Sequence, residues 1–185
     1  TPFSAETISG DYLVTAGFGT DDHSYELTGV KLFLSPGAGP TSAVQVDIYT
    51  SVGPGVGQPG SWIGSLTTPA ELYEVFTASG IVLDANSTYW VVVKDPDPGN
   101  EVYWWYTMSR GGTGVGFQHT WGFSNDSGGT WQTYDTGPQE MQVTAERLLW
   151  ADLGFGLAGA SGVPDLTGVG DLVPGTSGSL SLAHA

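Results

Sequence analysis

Apolar and polar positions alternate with period two in short runs separated by turn residues. Val30-Lys31-Leu32-Phe33-Leu34 is such a run, ended by Ser35-Pro36-Gly37. Val44 to Tyr49 alternates and stops at the Pro/Gly loop Gly53 to Gly60. Ser61 to Leu66, Leu72 to Phe76, and Ile81 to Leu83 follow. Thr88-Tyr89-Trp90-Val91-Val92-Val93 is apolar on both faces, which predicts a central strand. It ends at the breaker Asp95-Pro96-Asp97-Pro98-Gly99-Asn100. Val102 to Thr107 is the most aromatic run. Ser127-Gly128-Gly129 predicts the hairpin turn before Thr130 to Tyr134, and Met141 to Ala145 closes the series. No window holds a helical period. Many short strands at close spacing predict an all-β protein, an antiparallel β-sandwich of jelly-roll type.

The texture changes near residue 147. Residues 1–147 form the predicted sandwich, and residues 148–185 form a C-terminal strand-like extension. Leu148 to Gly162 is Gly-rich and apolar, and a Pro/Gly segment leads to the alternating run Ser179 to Ala183. That run can add to an open sheet edge on a neighbouring subunit, and the segment Tyr12 to Ala16 is equally usable.

Composition narrows the function classes. Four Lys and Arg stand against 19 Asp and Glu, a net charge of −15. Lys31, Lys94, Arg110 and Arg147 cannot supply the basic footprint that nucleic acid requires. An anionic membrane surface is disfavoured for the same reason, and no apolar run approaches the ~20 residues of a membrane span. The chain has no cysteine, which excludes disulfides and thiol catalysis. It begins Thr1-Pro2 without an initiator Met, which points to export after removal of a signal peptide.

Gly80-Ile81-Val82-Leu83-Asp84-Ala85-Asn86-Ser87-Thr88-Tyr89-Trp90-Val91-Val92 resembles the signature of the choice-of-anchor R domains of bacterial exported proteins. Leu27 to Leu32, Val46 to Tyr49, Pro59 to Leu66, Tyr103 to Tyr106 and Trp121 to Trp131 support the likeness, which spans roughly residues 25–145. It implies an exported β-sandwich, and it brings no catalytic residues. The tail is loosely similar to the repeats of large bacterial surface proteins.

No Gly-x-Ser-x-Gly elbow, His-Glu-x-x-His or P-loop is present, and His23, His119 and His184 lie far apart, so no enzyme is expected. Metal binding is better motivated. Asp21-Asp22 and the loop carrying Asp95, Asp97 and Glu101 concentrate carboxylates with little nearby cation, which suits Ca²⁺. In Tyr103-Trp104-Trp105-Tyr106 alternate side chains face opposite ways, so one pair faces the core and the other faces solvent, a glycan or a partner. The expected protein is a secreted, non-catalytic structural subunit. It assembles into a homo-oligomer or a surface filament, layer or matrix, with strand exchange as the means. The alternative is a carbohydrate-binding or adhesive surface module.

Overall fold

The computed structural model describes residues 4–38, 43–107, 112, 114–148, 165–169 and 179–183. Strands run in the order β1 (Ser4–Ile8), β2 (Leu13–Gly19), β3 (Tyr25–Leu32), β4 (Leu34–Pro36), β5 (Gln45–Val52), β6 (Gln58–Ser65) and β7 (Val75–Leu83). Then come β8 (Thr88–Lys94), β9 (Val102–Tyr106), β10 (Phe117–Ser124), β11 (Gln132–Tyr134), β12 (Met141–Arg147), β13 (Asp165–Val169) and β14 (Ser179–Ala183). All pairings are antiparallel. Among the described residues no helix is long and apolar enough to cross a membrane.

One layer is a six-stranded sheet in the order β11-β10-β2-β8-β5-β6. Two three-stranded sheets, β1-β9-β4 and β12-β3-β7, pack against it. They adjoin at Phe33, whose N–H donates to Glu140 O and whose carbonyl accepts from Trp105 N–H, each at 3.1 Å. Side chains of alternate residues meet between the layers. Val14, Ala16 and Phe18 of β2 stand in register with Val93, Val91 and Tyr89 of β8, and all six are core residues. Val30, Phe76, Leu83 and Trp104 fill the core from the opposite layer.

The two-faced apolar run Thr88 to Val93 is central, with β2 on one side and β5 on the other, and Trp90 is fully buried. The period-two reading places most strands, with three differences. Val75 and Phe76 of the run Leu72 to Phe76 and the whole of Ile81 to Leu83 belong to one strand, β7, because a bulge absorbs the residues between Thr77 and Ile81, while Leu72 to Glu74 form a turn before it. The loop after β5 is shorter than expected, since β6 begins at Gln58. The segment Tyr12 to Ala16 is no spare strand: β2 lies between β8 and β10. At the other end β14 pairs with β13, register Ser179 to Val169 through Ala183 to Asp165. The Gly-rich stretch 149–164 lies outside the described residues, as do Arg110 and His184.

Candidate functional site

The acidic clusters behave differently from one another. Asp21 Oδ1 accepts from Tyr25 Oη–H at 2.9 Å and from the His23 backbone N–H at 3.0 Å. His23 Nδ1 lies 3.0 Å from that oxygen and 2.8 Å from Asp22 Oδ1. Burial pushes the Asp21 carboxyl up, and the hydrogen bonds from Tyr25 and His23 outweigh it, so the group sits below its ordinary value. Among the described residues, Asp21, Asp22 and His23 are the group whose ligand atoms all lie within 4.8 Å of one another. Sequence reading singled out the two carboxylates and missed the imidazole as their partner.

Asp95, Asp97 and Glu101 do not converge in this way. Asp95 is fully buried, and its Oδ1 accepts the Asp97 N–H at 3.1 Å. Asp97 Oδ1 accepts the Gly99 N–H at 2.9 Å, and Glu101 Oε2 accepts from Tyr103 Oη–H at 2.9 Å. Two of these carboxylates shape the turn after β8, as Asp side chains do where backbone N–H groups lack strand partners. The third tethers a tyrosine, whose hydroxyl is held above its ordinary value by that bond.

The aromatic strand β9 splits as its alternation requires. Trp104 is fully buried and donates Nε1–H to Glu140 O at 3.0 Å, so it belongs to the core and leaves the candidate binding set. Tyr106 is half-buried and stacks on Trp121 at 6.3 Å, extending an aromatic cluster that includes Phe123, Tyr134 and Tyr12. Tyr103 and Trp105 point outward. Trp105 donates Nε1–H to Ser35 Oγ at 3.0 Å, and Tyr103 is held by Glu101. They remain an outward pair, each tied to its neighbours.

A further concave feature lies elsewhere, at one end of the six-stranded sheet. There β5 ends while β8 and β10 begin, and the loop Gly53 to Gly57, the turn Asp84 to Ser87 and Asp135 close around them. The groove has a volume of about 920 Å³. Its floor is cross-linked. Gln118 Nε2–H donates to Thr88 Oγ1 at 3.1 Å, Thr120 Oγ1–H to Gln118 Oε1 at 3.3 Å, and Trp90 Nε1–H to Ser51 Oγ at 3.1 Å. Gly17 makes room for Thr120, because a Cβ there would collide with its hydroxyl. Gly57 takes φ +71° and lies against Ser51, so a side chain would be both strained and blocked. Phe117 stands 39% exposed on the rim with its ring edge-on to His119, centroids 5.0 Å apart. His119 Nδ1 is buried and has no hydrogen-bond partner among the described residues.

Comparison of the chain with known protein families, curated proteins and solved structures finds no match.

Proposed function

We propose that the protein is a non-catalytic, secreted surface module, a sandwich of jelly-roll type, that binds a glycan in this groove. The observation that carries the reading is the lining: Thr50, Thr88, Asp84, Asp135 and His119 bring polar residues to a groove that Phe117, 39% exposed, also lines. A pyranose offers hydroxyls around its edge and C–H groups on its faces. Convergent polar groups beside one aromatic surface recognise both. The floor is pre-ordered by its own hydrogen bonds, so little side-chain ordering opposes binding. A panel of immobilised polysaccharides at moderate salt tests the proposal. Retention of the wild type by at least one glycan, lost with Phe117→Ala, supports it. Passage of the wild type through every glycan overturns it.

A self-assembling subunit of a filament, layer or matrix is the second reading. The observation in its favour is β6, a sheet edge carrying Trp62 at 57% exposure. Strand exchange through β2 or β14 would first have to break their pairings within the chain. Light scattering after size exclusion tests assembly, and a monomer at high concentration with calcium present counts against it. For Ca²⁺, the proposal narrows the sequence candidates to the loop of Asp21 and Asp22.

A further inference from the structure

We infer that Asn86 and Asn125 carry N-linked glycans, attached as the chain is exported. This rests on the reading of the protein as secreted. Asn86, Asn100 and Asn125 are the asparagines of the chain. Asn86-Ser87-Thr88 and Asn125-Asp126-Ser127 are acceptor tripeptides, with a hydroxyl residue two places after the asparagine and no proline between them. Asn100-Glu101-Val102 is not one. Burial divides the asparagines in the same way: Asn100 is 3% exposed, whereas Asn86 and Asn125 face solvent.

Asn86 lies in the turn between β7 and β8, and Asn125 in the hairpin between β10 and β11. Asparagine often serves in turns because its side chain hydrogen-bonds the local backbone. Among the described residues no hydrogen bond engages either side-chain amide. Other groups build both turns. Thr20 Oγ1–H donates to Asp84 O at 2.6 Å, and Ser87 N–H donates to Thr20 Oγ1 at 3.0 Å. Ser124, Asp126 and Thr130 hold the hairpin. A sugar on either Nδ2 therefore breaks no contact of the fold. A φ of +51° accounts for asparagine at position 86, but not for the hydroxyl at Thr88, and Asn125 has no positive φ. In the folded chain the two recognition hydroxyls are engaged. Thr88 Oγ1 accepts from Gln118 Nε2–H at 3.1 Å, and Ser127 Oγ–H donates to Asp11. Transfer therefore precedes folding. It joins Nδ2 to the anomeric carbon of a diphosphate-linked sugar. The anomeric C–O bond breaks, the diphosphate leaves with the electron pair, and Nδ2 gives up one proton.

Mass spectrometry of the full chain, recovered from outside the cells of its own organism, tests the assignment. The intact mass is expected to exceed that of the polypeptide, with the excess on the peptides that carry Asn86 and Asn125 and none on the peptide that carries Asn100. Asn86→Gln and Asn125→Gln should each remove one glycan mass. Thr88→Ser should keep the modification at Asn86, and Thr88→Ala should abolish it. An exported chain that is unmodified at Asn86 or Asn125 overturns the assignment for that residue. Modification of Asn86 that survives Thr88→Ala overturns recognition of the tripeptide. Both results leave the secreted reading standing. Recovery of the chain only from inside the cells, unmodified, takes down that reading and the inference with it.

Discussion

Lys94 Nζ lies 2.6 Å from Asp47 Oδ2 on the outer face of the six-stranded sheet, pairing neighbouring strands β8 and β5. Asp47 is almost fully buried, and its other oxygen accepts from Ser65 Oγ–H at 2.5 Å. Removing the lysine strands a carboxylate that water cannot reach, whereas removing both partners does not. Lys94 is itself about one-third exposed, which moderates the effect. Lys94→Met is expected to cost about 1–3 kcal/mol in urea unfolding. Lys94→Met/Asp47→Leu is expected to recover part of the loss. Equal stability of wild type and Lys94→Met would show that the carboxylate is solvated.

Trp90 is fully enclosed, with Gly17 and Tyr49 beside it in register and its indole N–H on Ser51. Trp90→Ala should cost about 3–5 kcal/mol by chemical denaturation. A loss below ~1 kcal/mol would place β8 at the periphery of the sheet.

The strands were legible where burial is two-sided or alternates, as in Thr88 to Val93 and Val44 to Tyr49, because sheet packing imposes those periods directly. The hairpin at Ser127 to Gly129 was legible from turn chemistry. Ser127 and Gly128 adopt positive φ, and Asp126 accepts the Thr130 N–H at 2.8 Å. The groove was not legible. Its walls come from positions near 50, 85, 118 and 135, and only the order β10-β2-β8-β5 brings them to one end of the sheet. The run Tyr103 to Tyr106 drew attention by composition, yet aromatic residues close a sandwich core as readily as they bind a ligand, and Trp104 does the former. The loop Asp95 to Glu101 resembled a cation site because sequence spacing does not reveal which carboxylates accept backbone hydrogen bonds.

Calcium at millimolar concentration should raise the melting temperature of the wild type, and EDTA should reverse the rise, by preferential binding to the folded state. Asp21→Asn/Asp22→Asn should abolish the response, and Asp97→Asn should retain it. A response that survives the Asp21/Asp22 variant would locate the ion elsewhere. No response in the wild type would remove calcium from the account.

Stability should fall at both extremes of pH. Ser124 Oγ–H and the Thr130 backbone and hydroxyl groups hydrogen-bond to Asp126 and hold its carboxyl below the ordinary 3.8. That contribution is present above the ordinary value and is lost as pH drops through the lowered one. Tyr12 is pushed up to about 12, first by burial and then by Glu6, whose Oε2 accepts its hydroxyl at 3.4 Å. Its contribution is complete below pH 10 and disappears as pH rises toward 12. Melting temperature across the pH range measures both limbs. Asp126→Asn should flatten the acid limb, and an unchanged acid limb in that variant would rule out its role.

The central claim is the location of the binding site, and an ¹H–¹⁵N NMR titration with an oligosaccharide of the retained glycan tests it residue by residue. The account predicts that amide shifts concentrate at Ser51 to Gly57, Asp84 to Tyr89 and Phe117 to Thr120, and that Phe117→Ala abolishes them. Shifts concentrated instead at Tyr103 and Trp105, or along β6 around Trp62, would contradict it.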